Sequence, residues 1–145
     1  QPPVDLQRRD HEVDRYWTPI AEAVQGGVVL EPEQFYIFAT RERLRIPPGV
    51  CAELVAFDAT KGELRTHYAG FIDSGFGWED DPQAGPGARL VLEIRTHDVP
   101  FLLEHGQALF RVEFLANEAD PDVLYGVRNH YQHQGLRLAR QFLQA

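Results

Sequence analysis

The feature that most constrains the fold is a series of short, strand-like segments separated by turns rich in glycine and proline. Segment 89–97 places Leu90, Leu92 and Ile94 on one face and Val91, Glu93 and Arg95 on the other, an alternation that is typical of a half-buried strand. Pro47-Pro48-Gly49 marks a turn. Many short strands at this spacing predict an all-β sandwich or barrel. The other strand-like segments are 27–32, 34–46, 50–57, 64–72 and two within 99–116, joined at His105-Gly106.

The 145 residues fit one domain. We expect a polar N-terminal arm over 1–27, with a short helix or turn within 14–27, then a β-domain over 28–116. A C-terminal segment over 117–145 follows, with a helix as one interpretation of its last residues. Because the chain begins with Gln1 and has no methionine, we expect it to be part of a longer polypeptide.

The balance of charge restricts the class of partner. A net charge of −8 argues against binding to nucleic acid or to an anionic membrane surface, because both need basic surface. No apolar run is long enough to span a bilayer. Cys51 is the only cysteine, so no intrachain disulfide is expected, and a cytoplasmic location is the default.

Histidine and cysteine patterns give little support for a metal site. The zinc-deaminase signature needs two cysteines close together in the sequence, and this chain has only one. His130 and His133 have a spacing that suits a metal ion, but two such residues in a polar tail are usually solvated. We therefore expect neither zinc nor any other metal ion held by the protein.

The stretch HYAGFIDSGFGW, residues 67–78, places a single carboxylate, Asp73, in an apolar run. One interpretation is an Asx-type turn in which Ser74 and Gly75 supply the tight geometry. The other is an acid at the lip of a pocket, where Gly75 and Gly77 let the backbone approach a ligand closely.

Two further groups have two interpretations each. Glu93 lies mid-strand between Arg89 and Arg95, and it either joins a charge ladder on a solvated face or points into a cleft as a general acid and base. Tyr125, Tyr131 and Gln134 lie near arginines in the C-terminal segment. They belong either to a flexible basic tail or to a lid over an anion.

Taken in order, these motifs resemble the dCTP deaminase branch of the dUTPase-like superfamily over residues 28–140. The stretch 67–78 is similar to the family's pocket motif, and Ser74 stands where the family has proline. Segment 89–94 resembles the strand with the catalytic glutamate, which falls on Glu93. Segment 125–135 resembles the closing segment. The matching positions are Ala69, Ile72, Asp73, Gly75, Phe76, Tyr125, Tyr131, Gln134 and Gly135.

The resemblance implies a dUTPase-like distorted β-barrel or jelly roll, the β-clip fold. It also implies metal-independent deamination of dCTP to dUTP and ammonia, with Glu93 catalytic and the other matching residues around the nucleoside. Asp73 would contact the deoxyribose, and nearby backbone would exclude a ribose 2′-hydroxyl. Mg²⁺ would enter with the triphosphate, and the site would lie between subunits of a homo-oligomer or a pseudo-trimer.

Two departures from the family pattern limit this prediction. The phosphate-binding Arg-Ser-Ser motif is absent from 57–64, and His130 replaces the family's lysine before the tail tyrosine. Lys61, His130 and Arg137 therefore remain only weak candidates for phosphate contacts. One explanation is a duplicated protein in which the other half supplies that motif. The alternatives are a non-catalytic domain that binds nucleotide or supports oligomerisation, and a dUTP diphosphatase that releases pyrophosphate.

Overall fold

A computed structural model shows an all-β protein, as the turn-separated strands predict, with a single short 3₁₀ turn in its described part. It describes residues 2–20, 26–56, 64–66, 70–79, 85–96, 98–119, 121–126, 132 and 135–143. The 3₁₀ turn spans Val13–Arg15. The strands are β1 (Val28–Leu30), β2 (Phe35–Ala39), β3 (Val50–Ala56), β4 (Leu64–Thr66), β5 (Phe71–Ile72), β6 (Val91–Thr96), β7 (Phe101–Leu103) and β8 (Phe110–Ala116).

The described strands form three antiparallel sheets. The strand orders are β1-β7, β2-β6-β4 and β5-β3-β8. The long pair is β3 with β8, where Val50 lies opposite Ala116 and Ala56 lies opposite Phe110. Because β4 pairs with β6 and β5 pairs with β3, the chain changes sheets between Thr66 and Phe71.

Two hydrophobic clusters fill the space between the sheets. One is centred on Ile46, Ala52 and Ile72, and the other on Leu30 and Ile94. Leu54 and Leu90 pack against both clusters, so the core is continuous. In the second cluster, the alternation of β6 buries Leu92 and Ile94 as the sequence predicts.

Two predicted strands are shorter in the structure. Segment 34–46 ends as a strand at Ala39, because the Thr40 hydroxyl accepts a hydrogen bond from Leu90 N at 3.0 Å in place of a backbone carbonyl. A separate bridge then pairs Leu44 with Ala88. Segment 64–72 divides into β4 and β5, which belong to different sheets.

The N-terminal arm and the C-terminal tail bind each other through an aromatic cluster. The Phe142 ring lies 5.5 Å from the Tyr16 ring and 6.2 Å from the Trp17 ring. His11 N donates to Gln141 O, and Leu143 N donates to His11 O, both at 3.0 Å. The described tail, 135–143, contains no helix. A turn in which Phe142 N donates to Ala139 O at 3.0 Å leads into the residues that pair with the arm.

The short helix or turn expected within 14–27 is a single 3₁₀ turn, which begins one residue earlier, at Val13. Residues 21–25 of that stretch lie outside the described residues. In the described part of the chain, no helix has the length and apolar character needed to cross a membrane.

Candidate functional site

The centre of the candidate site is a tight turn over 73–76, directly after β5. Phe76 N donates to Asp73 O at 3.1 Å, and Gly75, the third residue of the turn, has φ +94°. A positive φ at that position is the signature of a type II turn, in which proline is favoured at the second position. Ser74 occupies the second position here.

Ser74 is fixed by its side chain rather than by a proline ring. Its hydroxyl donates to Val50 O at the start of β3 and accepts from Asn117 Nδ2 at 2.8 Å, just after β8. The residue is only 8% exposed. These two hydrogen bonds therefore link the turn to the ends of β3 and β8, so the position of the turn depends on this strand pair.

The Asx-type interpretation of Asp73 is not the one that the structure adopts. Gly75 N, which would donate to the carboxylate in an Asx turn, donates instead to Ile46 O at 2.8 Å. Ile46 N donates to Phe76 O at 2.9 Å. None of the described residues donates a hydrogen bond to the Asp73 carboxylate, so this exposed acid remains available to a ligand.

Asp73 lines an open cavity of about 530 Å³. Cys51, Asn117 and Glu118 also line it, together with Tyr125. With two carboxylates and one carboxamide among these side chains, the lining is rich in hydrogen-bond acceptors. Such a lining suits hydroxyl groups and repels phosphates.

The apolar residues of the predicted pocket motif support the turn from the core. Ile72 and Phe76 are buried, at 5% and 9% exposure. The Phe76 ring packs against the Tyr125 ring, with centroids 5.4 Å apart. Tyr125 N donates to Ser74 O at 2.8 Å, so the structure brings Tyr125 to the turn.

Glu93 lies on a different sheet from Asp73. Its side chain is exposed on the outer face of β6, directly opposite Ile37 of β2. Phe35 and Ala39 flank Ile37 on that face, so the carboxylate has apolar cross-strand neighbours. The exposure of Glu93 agrees with the solvated-face interpretation, although none of the described residues forms an ion pair with it.

The nearby arginine on the same face does not neutralise Glu93. The Arg95 guanidinium lies over the Phe35 ring, 6.0 Å from its centroid. Glu93 is not among the described residues that line the Asp73 cavity. The two acids therefore belong to separate surfaces of the described chain.

Several predicted site residues lie outside the described part of the chain. Arg137 is described and exposed, but no contact ties it to the Asp73 cavity. The predicted residues outside the described ranges are Ala69, Tyr131, Gln134, Lys61 and His130.

Gln132 is a contributor that sequence reasoning missed. Its Nε2 donates to Gly75 O at 2.7 Å and to Trp78 O at 2.9 Å, and its Oε1 accepts from Gly77 N at 3.2 Å. The segment around it resembles a closing motif, but the motif points to Tyr131 and Gln134. The partners are 54 to 57 residues away, so no local pattern could have identified them.

Within the described ranges, no three histidine, cysteine, aspartate or glutamate side chains converge as metal ligands. A smaller cavity of about 110 Å³ is lined by Arg43 and Arg45. Arg43 donates to Gly87 O at 3.0 Å and Arg45 to Glu79 O at 2.9 Å. Both guanidinium groups are thus engaged with loop backbone, beside the turn but outside the Asp73 cavity.

Comparison with known proteins agrees with the motif order. No curated protein matches the chain at a significant level. The chain is similar to the crystal structure of 2′-deoxycytidine 5′-triphosphate deaminase from Agrobacterium tumefaciens, with 42% identity and a TM-score of 0.65 over 77% of this chain. The match spans only 33% of that protein's chain. The family model of the C-terminal domain of 2′-deoxycytidine 5′-triphosphate deaminase matches residues 1–142. The chain therefore belongs to the family of dCTP deaminase C-terminal domains.

Proposed function

We propose that this chain supplies the acid–base half of a composite site that deaminates dCTP to dUTP and ammonia. The observation that carries the proposal is the position of Glu93, an exposed carboxylate that has apolar cross-strand neighbours on β2 and no ion pair with any described residue. Membership of the deaminase family supports the class of reaction. The activity of the separate chain is part of the proposal.

Glu93 is exposed in the single chain, so a second surface has to cover it before it can work as an acid and base. A nucleobase or a partner subunit placed on this face would remove water from the carboxylate. Desolvation favours the protonated form of a carboxylic acid, and a group that gains and loses a proton near neutral pH is suited to this catalysis.

The proposed reaction adds water across C4 of cytosine and expels ammonia. Glu93 takes a proton from the attacking water as the C4–O bond forms, and delivers it to N3. A second proton from the added hydroxyl then reaches N4, the C4–N4 bond breaks, and ammonia leaves. The sum is dCTP plus water giving dUTP plus ammonia, with no redox change.

The rest of the nucleotide needs groups of two kinds. The acceptor-rich cavity at Asp73 suits the deoxyribose hydroxyl, whereas the triphosphate needs cations. Mg²⁺ would accompany the triphosphate, held mainly by phosphate oxygens and water. Lys61, His130 and Arg137 are the weak phosphate candidates of this chain, so we propose that a second dUTPase-like domain supplies the stronger phosphate contacts.

Exposed apolar side chains support such an assembly. Phe71 is 69% exposed and Leu115 is 40% exposed, and both lie on the outer face of the β5-β3-β8 sheet. Apolar surface of this kind is common where another subunit packs. We propose a homo-oligomer or pseudo-trimer in the cytoplasm, without nucleic acid or membrane partners.

The test is ammonia release from dCTP with Mg²⁺, by this chain and by the full-length protein. Glu93→Gln keeps the shape but cannot accept a proton, so we expect turnover to fall by about 10²–10⁴-fold, the usual contribution of an acid–base group. The affinity for dCTP should change little. Glu53→Gln, a mid-strand acid on another sheet, is the matched control, and wild-type turnover by Glu93→Gln would refute the role of Glu93.

A second candidate is a domain that binds nucleotide or supports oligomerisation without catalysis. The missing Arg-Ser-Ser motif at 57–64 and the acidic lining of the cavity favour it. Binding of dCTP without ammonia release from the full-length protein would support this alternative. Pyrophosphate release from dUTP would instead indicate a diphosphatase.

A further inference from the structure

We propose that Gln132 is a positioning residue that holds the Asp73 turn in the conformation that binds the deoxyribose. A primary amide offers two N–H donors and one carbonyl acceptor. In Gln132 the two donors bind Gly75 O and Trp78 O, and the acceptor binds Gly77 N. Val50 and Asn117 hold Ser74, so the amide completes the support of the turn on its C-terminal side.

Among the described residues, the two glycine backbone groups that Gln132 binds have few other partners. Gly77 N has Gln132 Oε1 as its acceptor, while Gly75 O also accepts from Trp78 N at 3.1 Å. Gln132 is half-buried. Loss of the amide would therefore leave backbone polar groups poorly satisfied, which favours a rearrangement of the turn.

The structure leaves space for this side chain. Gly126 has φ +97°, and a Cβ atom there would lie 2.7 Å from Gln132 Cδ. A glycine is thus required both by the backbone conformation and by the close approach of the amide. Because Tyr125 N also binds Ser74 O at 2.8 Å, Tyr125 and Gln132 contact the turn at different backbone positions.

The functional consequence follows from where the turn leads. Gly75 and Gly77 come two and four residues after Asp73, so a shift of their backbone moves the carboxylate at the cavity edge. The shift would weaken binding of the sugar and would relax exclusion of a 2′-hydroxyl by the nearby backbone. The chemical step at the base, assigned to Glu93, would change much less.

The kinetic experiment rests on the proposed function and compares full-length wild type with Gln132→Ala. We expect KM for dCTP to rise about tenfold, as the loss of one to two net hydrogen bonds predicts, with kcat within about threefold. The preference for dCTP over CTP should fall by a similar factor. Gln107→Ala is the matched control, because Gln107 Oε1 accepts a backbone hydrogen bond from Glu104 N at 2.9 Å in an exposed turn.

A carboxyl substitution provides a test that loss of folding cannot imitate. In Gln132→Glu the ionised side chain loses both donors and faces two carbonyl oxygens, whereas the protonated form regains one donor. We therefore expect the KM defect of this variant to shrink as the pH falls toward the carboxyl pKa, which is about 4.3 in an unperturbed glutamate. A defect that is independent of pH would contradict the proposal.

Amide hydrogen exchange separates this inference from the proposed function. Gly77 N–H should exchange about tenfold faster in Gln132→Ala, whether or not the protein deaminates dCTP. Unchanged exchange at Gly77 would overturn the inference. Faster exchange with unchanged dCTP affinity and unchanged dCTP/CTP preference would show that Gln132 supports the turn without affecting the sugar site. That result would overturn the positioning role.

Discussion

Removing the Ser74 hydroxyl tests whether the turn is fixed by its link to β3 and β8. Ser74→Ala deletes the donor to Val50 O and the acceptor of Asn117 Nδ2, in a residue that is 8% exposed. Each net hydrogen bond contributes about 1 kcal/mol, and a buried group left unsatisfied costs about 1–3 kcal/mol. We expect the free energy of unfolding to fall by about 2 kcal/mol.

Urea denaturation measures this loss. With an m-value of about 1.5 kcal/mol/M, as in small proteins, the midpoint should fall by about 1.3 M. Thr18→Ala, which removes an exposed hydroxyl, is the control and should leave the midpoint unchanged. A midpoint for Ser74→Ala that equals the control's would refute the argument that these hydrogen bonds fix the turn.

Two further variants separate the hydrogen bonds from the turn geometry. The double variant with Asn117→Ala should be less destabilised than the sum of the single variants, with a coupling energy of about 1 kcal/mol. Ser74→Pro should fall between wild type and Ser74→Ala, because proline fits the second position of a type II turn and restricts the unfolded chain. Additive single effects would show that Ser74 and Asn117 act independently.

Three other predictions concern the contact between arm and tail, the close packing at Gly77, and the ion pair of Arg8 with Asp10. Phe142→Ala should cost about 3–5 kcal/mol by urea denaturation and expose the arm to proteolysis; an unchanged cleavage rate would contradict docking of the arm on the tail. Gly77→Ala should cost about 3 kcal/mol or more, because φ is +62° and the new Cβ would meet the Leu44 carbonyl; a near-normal midpoint would contradict the close packing. The Arg8 guanidinium beside Asp10 lowers the pKa of that carboxyl. Any excess in the free energy of unfolding of wild type over Arg8→Ala therefore exists above the unfolded-state pKa of Asp10 and disappears as the pH falls through its folded-state pKa. Because both groups are exposed, added salt should also remove this difference in stability. A difference that grows as the pH falls would contradict its assignment to the Arg8–Asp10 ion pair.

The candidate site was predictable where the signal was local. One interpretation of the sequence placed an Asx-type turn at Asp73, Ser74 and Gly75, and the structure has a turn at that place, of type II. The family motif marked the replacement of proline by Ser74. It did not reveal that the serine hydroxyl binds Val50 O and Asn117, since those partners are 24 and 43 residues distant.

The tail shows the opposite case, in which local preference was misleading. A helix was one interpretation of its last residues, yet the described tail makes a turn at 139–142 and pairs with His11 through Gln141 and Leu143. Phe142 is 7% exposed within the arm's aromatic cluster. Burial of a large aromatic side chain is worth more than the small differences in helix propensity, so tertiary packing decided the conformation.

The sequence by itself determined the all-β class, most of the strands, the Asp73 turn and the family, because each depends on residues close together in the chain. Alternation at a period of two and turns built on glycine and proline are local properties. Only the tertiary structure decided that Gln132 supports the turn, that Glu93 and Asp73 lie on separate surfaces, and that the arm binds the tail. Contacts between distant residues depend on how sheets pack, and the entropy of closing a long loop changes little with its length, so sequence separation does not indicate which residues meet.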